Sequence, residues 1–181
     1  MSAQQRPMRL HHTAFVTRDQ ERTRAFYEDL IGLPLIATWA EQEELFGSER
    51  TYCHTFFGLE DGSALAFFQF ADPADDAEFG PEIPKSPFNH IALNVSSETQ
   101  NAIHQRLVAA AYNDDLYILE HGYCRSLYVR DPNGLLLEFT ADAPDAIADA
   151  PRKARLAHEE LKRWLNGDHT PNNKARGEHA A

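Results

Sequence analysis

One short pattern occurs twice in this chain of 181 residues. His12-Thr13-Ala14-Phe15 opens the first copy and His90-Ile91-Ala92-Leu93 opens the second. Each alternates with the period of a strand, and each is followed by a capping residue and a run with helical spacing. A repeated supersecondary unit constrains the fold more than composition does. Two copies must place equivalent strands at equivalent positions of a pseudo-symmetric domain.

The boundaries follow from local signals. Met8 to Val16 reads as a strand, and Thr17 or Asp19 can cap a helix from about Gln20 to Leu30 that Gly32 ends. Leu33 to Trp39 is the next strand, with Pro34 restricting its start, and Glu41–Glu44 is a turn or an edge. Tyr52 to Leu59 and Ala64 to Phe70 bracket the hairpin signal Glu60-Asp61-Gly62-Ser63. Asp72 to Pro87, rich in Pro, Asp and Glu, reads as a linker or surface loop. Asn89 to Val95 is then a strand, and Ser97 with Gln100 forms a capping box. The helix from about Glu98 to Ala111 carries Ile103, Leu107 and Ala111 at helical spacing, and Leu116 to Leu119 is a short strand. The chain is therefore expected to be α+β. Two βαβββ modules, 9–70 and 88–141, make one domain over 8–142. In the remainder, 143–181, Pro144 interrupts. Pro151 to Leu165 reads as a charged amphipathic helix, followed by Gly167 and a flexible polar tail. Residues 1–7 read as a loose polar start.

Charge and cysteine usage narrow the partners. A net charge of -11 argues against nucleic acid and against anionic membrane surfaces. No apolar run approaches the length of a membrane span, and no signal-peptide pattern opens the chain. Cys53 and Cys124 form no CxxC pair, so a cytoplasmic protein is expected.

The chemistry concentrates in Arg125 to Asp142. Two apolar runs flank Asp131-Pro132-Asn133-Gly134, a turn that Pro presets and Gly permits. In the second run Leu135, Leu137 and Phe139 share one face, while Leu136, Glu138 and Thr140 share the other. A carboxylate in so apolar a strand needs solvent, a basic partner or a metal ion. By the same parity His12, Ala14 and Val16 share a face, and His90 lies on the face away from the helices. His11 should face away from His12. A lone His on a strand is more often structural than ligating. The repeat-equivalence of His12 and His90, together with Glu138, is what singles these three out. Two His and one carboxylate from three strands can form a facial triad with open coordination positions, the arrangement of non-heme iron sites.

The stretches H12TAFVTRD, AFYEDLIGLPL, H90IALNV and SLYVRDPNGLLLEF resemble the vicinal oxygen chelate superfamily. That superfamily includes glyoxalase I, fosfomycin-resistance proteins, bleomycin-binding proteins and extradiol dioxygenases. The resemblance implies a half-open mixed β-barrel built from the two modules, with His12, His90 and Glu138 as metal ligands. Those ligands resemble the iron site of type I extradiol dioxygenases most, and the spacing of Tyr128 to Glu138 matches that family's active-site Tyr. Fe(II) is then the expected metal, with Mn, Ni and Zn as alternatives. The implied reaction is ring cleavage of a catechol-like substrate by O2, in a chain that could form a homodimer. Two features depart from the pattern. The usual catalytic His is absent from the stretch Gly62 to Phe67, so His121 or His54 would have to take the acid–base role. Ala66 stands where glyoxalase I has a fourth ligand, which disfavours that site. A glyoxalase- or lyase-type enzyme and a small-molecule-binding or resistance protein are the alternatives.

Overall fold

The computed structural model describes residues 6–173. The expectations for the first five residues, and for the tail beyond 173, lie outside them. β1 (His12–Val16) leads into α1 (Gln20–Arg24), which continues as a π-helical segment, Ala25–Ile31. β2 (Leu35–Leu45), β3 (Ser48–Gly58) and β4 (Ala64–Phe70) complete the first module. After α2 (Pro73–Phe79), the second module runs β5 (His90–Asn94), α3 (Ser97–Ala109), β6 (Tyr117–Glu120), β7 (Cys124–Arg130) and β8 (Leu136–Asp142). α4 (Pro144–Leu165) follows. No helix among the described residues is long and apolar enough to cross a membrane.

Each module makes its own four-stranded mixed sheet, ordered β1-β4-β3-β2 and β5-β8-β7-β6. In each, the first strand pairs in parallel with the last, and the other pairings are antiparallel. The repeat holds down to single hydrogen bonds. The Gln20 amide donates to the carbonyl oxygens of Phe67 (3.1 Å) and Cys53 (3.5 Å). The Gln100 amide donates to those of Phe139 (2.6 Å) and Arg125 (2.8 Å), the equivalent positions of the second sheet. Each glutamine thus fastens a helix to the two strands beneath it. Gln100 is fully buried and bonds the strand carbonyls. The cap of α3 is Ser96 rather than Ser97, its hydroxyl accepting from the Thr99 amide at 3.1 Å.

The back faces of both sheets and the helices between them form one core. It contains Phe26, Tyr27 and Ile31, Phe57, Leu65 and Phe67 from the first module. Ile103, Leu107, Leu127, Val129, Leu135, Leu137 and Phe139 complete it from the second. Polar bonds tie the modules together across it. The fully buried Tyr27 donates its hydroxyl to Asp131 at 2.9 Å. Asp131 also accepts the backbone N–H of Asn133 and Leu135, so the turn carboxylate organises its own hairpin and the joint between modules. The Arg106 guanidinium of α3 donates to the carbonyls of Leu30 and Ile31, at the end of the π-helical segment. Gly32 ends that segment with φ 93°, a left-handed conformation.

Three elements differ from the sequence expectations. The stretch read as a loop contains α2, which Asp72 caps by accepting the Ala74 N–H, with Pro at the first turn and acids following. These are helix-start signals inside an otherwise unpromising composition. α4 begins at Pro144, not Pro151; Pro144 needs no partner for its missing N–H there, and Pro151 is carried inside the helix. β2 continues through the acidic run to Leu45 as an edge strand, where charged side chains are at home. A bulge between Leu35 and Ala37 turns Ile36 towards β3. A Cβ at Gly58 would lie 2.8 Å from the Ile36 side chain, so a larger residue there would force Ile36 to shift.

Candidate metal centre

The register sets out the two open sheet faces residue by residue. Across the second sheet one row runs Ala92, Glu138, Tyr128, Tyr117. The equivalent row of the first sheet runs Ala14, Ala66, Phe56, Ala37. Glu138 and Tyr128 are thus replaced in the first module by Ala66 and Phe56. The two faces share the His at the start of their first strand and the Ala two residues after it.

On the second sheet the His90 imidazole and the Glu138 carboxylate meet, Nε2 to Oε2, at 2.8 Å. His90 Nδ1 lies 3.1 Å from the Pro87 carbonyl, which can only accept, so Nδ1 carries a proton. The other carboxylate oxygen of Glu138 accepts the Ser126 hydroxyl at 2.5 Å. Burial pushes the Glu138 carboxyl up. The Ser126 hydrogen bond, the nearby hydroxyls of Tyr128 and Thr140, and the His90 imidazole outweigh it and hold the group below its ordinary value. The carboxylate is therefore kept ionised inside the sheet.

Tyr128 and His121 stand beside this pair. His121 Nε2 is 3.3 Å from the Tyr128 hydroxyl, and both residues are buried. His121 Nδ1 is buried with no hydrogen-bond partner among the described residues. The His121 ring stacks on Tyr123 and the Tyr128 ring on Tyr117, with centroids 5.8 and 4.8 Å apart. Burial, then the neighbouring Glu138, pushes the Tyr128 phenol up to about 12.

The remaining sequence candidates lie on the first sheet. His12 is exposed there, its Nδ1 2.7 Å from Nδ1 of His11. His11 turns back towards His12 instead of away from it, because it precedes β1 and strand alternation does not bind it. His54 is buried between Phe68 and Phe56, with ring centroids 3.7 and 4.2 Å away, and is 6.3 Å from His12. Burial, then the charge of His12, lowers its pKa. The structure therefore brings together His90, Glu138, Tyr128 and His121, and separately His12 and His54. Within one chain, the expected convergence of His12 on His90 and Glu138 is not met. Among the described residues no three His, Cys, Asp or Glu side chains gather closely enough to hold a metal ion. The physical reason is the packing of the modules: their helical faces share one core, and their open faces belong to two separate sheets. Ser126 and Tyr117 are contributors that sequence reasoning did not assign. The signal for Ser126 was its parity with Tyr128.

Known proteins agree with this architecture. The model of the Glyoxalase/Bleomycin resistance protein/Dioxygenase superfamily matches residues 9–139. A putative ring-cleaving dioxygenase of Bacillus subtilis (strain 168), MhqA, is 32% identical over 65 residues, which is 36% of this chain and 21% of that protein. The uncharacterized protein YwbC of the same organism is 25% identical over 139 residues, 72% of this chain and 95% of that one. Among solved structures, the fosfomycin resistance protein FosX from Listeria monocytogenes superposes with a TM-score of 0.54 at 19% identity. That match covers 78% of this chain and 98% of that one. A glyoxylase/bleomycin resistance protein/dioxygenase domain from Frankia sp. EAN1pec superposes with a TM-score of 0.57 at 13% identity, covering 77% and 95%. At these identities the structural likeness concerns the fold.

Proposed function

Because this chain belongs to the glyoxalase/bleomycin resistance protein/dioxygenase superfamily, we propose that it is a metal-dependent enzyme acting on a small chelating molecule, and specifically an extradiol-type ring-cleaving dioxygenase. The observation that carries this reading is the pair His90–Glu138. With a proton on His90 Nδ1, the Nε2 lone pair and a Glu138 oxygen converge at 2.8 Å. Two lone pairs that close need a cation between them, either a proton or a metal ion. The surroundings suit a metal: the Pro87 carbonyl fixes the imidazole tautomer, and Ser126 fixes the carboxylate. His90 and Glu138 would hold the ion, with His12 as the third ligand. Fe(II) suits a two-His, one-carboxylate set best, with Mn, Ni and Zn as alternatives.

His12 reaches that set from a second copy of the chain. His12 and His90 are exposed at the starts of the two faces, and exposed apolar residues lead into them: Leu10 before His12, and Phe88 before His90. A twofold dimer that lays the first sheet of one copy over the second sheet of the other makes two equivalent centres. His54 then stands on the wall opposite Tyr128 and His121.

When bound, iron would supply the chelation of vicinal oxygens and the activation of O2. The chain's own residues do the rest. Tyr128, protonated at neutral pH, donates a hydrogen bond beside the ligand oxygens. His121 exchanges a proton with the Tyr128 hydroxyl, and its free Nδ1 gives it a second point of transfer. His54 is the substitute for this acid–base role. The partial likeness to a putative ring-cleaving dioxygenase supports the reaction type. Anaerobic purification, metal analysis and oxygen uptake with a panel of catechols test it. Iron with a ring-opened product supports the reading. Nickel or zinc without oxygen uptake replaces it with a glyoxalase- or lyase-type enzyme, and catechol binding without metal replaces it with a binding protein.

A further inference from the structure

A cleft of about 1110 Å³ opens where β1, the start of α1, the connection between modules and the β7–β8 turn meet. Part of its wall is apolar and comes from the first sheet. Ala14 and Val16 line it from the same face as His12, and Phe68 pairs with Val16 and stacks on His54. The lining also carries Arg18, Arg22 and Lys85.

These three cations line one cleft in a chain of net charge -11; Arg9, Arg106, Arg155 and Lys162 also make no ion pair among the described residues but do not line it. Arg24, Arg50, Arg125, Arg130, Arg152 and Arg163 each lie against a carboxylate. Arg18, Arg22 and Lys85 make no ion pair among the described residues and are exposed. Two of them flank the N-terminus of α1, where the helix dipole already favours an anion and disfavours a cation. They gain nothing for stability at that position. The carboxylates on the wall, Asp19 and Glu82, leave the lining net positive, and Asp19 is engaged as the helix cap, accepting the Arg22 N–H at 2.9 Å. Cations held unpaired around an apolar-walled cleft suit a ligand with an apolar body and an anionic end.

We infer that this cleft receives the carboxylate-bearing arm of the substrate, which is therefore an aryl- or arylalkyl-carboxylate whose ring lies over the His12 face. The inference rests on the proposed function insofar as that face is part of the site. The local charge also answers a difficulty of the whole molecule: a strongly acidic protein repels an anionic substrate unless cations gather at its entrance.

The test is calorimetric titration of the full chain with 3-phenylpropionate and with its neutral amide, neither of which carries vicinal oxygens. The acid should bind about tenfold more tightly than the amide, and added salt should weaken the acid alone. In Arg18→Gln/Arg22→Gln/Lys85→Gln the preference should vanish. Should that protein not fold, the single exposed change Lys85→Gln is read in its place and should cost the acid about threefold. Equal binding of acid and amide by the wild type, or unchanged binding of the acid by the variants, overturns the proposal. Because neither probe can chelate, the two readings fail separately. A protein that prefers the acid but takes up no metal keeps the cleft and loses the dioxygenase. One that opens catechols with O2 yet binds both probes alike keeps the dioxygenase and loses the cleft.

Discussion

Glu138 has its two oxygens committed to different neighbours, Ser126 on one side and His90 on the other. That division separates ligand from support. Glu138→Ala should lose metal and activity together, as metal analysis of the purified variant would reveal; unchanged metal content contradicts its role as ligand. Ser126→Ala leaves the ligand in place but unaimed, and should weaken metal affinity by about tenfold or more in a chelator competition. Tyr128→Phe should keep the metal, while His121→Ala should keep it and lower turnover by roughly a hundredfold or more. Much at this scale can be read from parity. Alternation places Glu138 on the open face of β8 and Tyr128 on that of β7, because one core-facing row of leucine and phenylalanine leaves the strands no other orientation. Parity alone does not reveal that a serine hydroxyl lies 2.5 Å from the carboxylate, since that depends on how β7 and β8 register.

Elements are legible where their signals are local. β4 runs from Ala64 to Phe70 as its hairpin and alternation indicate, and Gly32 stops the first helix where it should. Signals mislead where one residue type has two uses. Pro144 reads as an interruption yet opens α4, and the acids after Asp72 read as loop yet form the first turn of α2. Gln100 resembles half of a capping box, but its amide is spent on two strand carbonyls. Two stability measurements follow. Gln100→Ala leaves two carbonyls unsatisfied in the core and should cost about 1–3 kcal/mol in urea denaturation; the half-buried Gln20→Ala should cost less. Equal costs would mean that the buried bonds of the second module carry no extra weight. α4 has no buried residue, so a chain ending at Ala143 should melt within a few degrees of the full chain. A large drop would show that α4 packs on the domain in solution.

At the scale of the molecule, the repeat in the sequence determines the topology of each module but not which faces the modules turn towards each other. His12 and His90 are equivalent within their own sheets, and that equivalence is compatible with meeting inside one chain or across two. The decision lies in long-range contacts with no sequence signature: the Tyr27–Asp131 bond, the Arg106 clamp on Leu30 and Ile31, and the helix-centred core. These put the helical faces together and leave the open faces on two separate sheets, as the proposed dimer requires. Subunit complementation measures this most directly. His12→Ala and His90→Ala homodimers each carry a defect in both centres and should bind little metal. Co-refolded mixtures contain heterodimers in which one centre has both defects and the other has none. Stoichiometric metal binding should therefore return at about a quarter of the wild-type sites. If the mixture binds no more metal than either variant alone, the centre does not form between subunits.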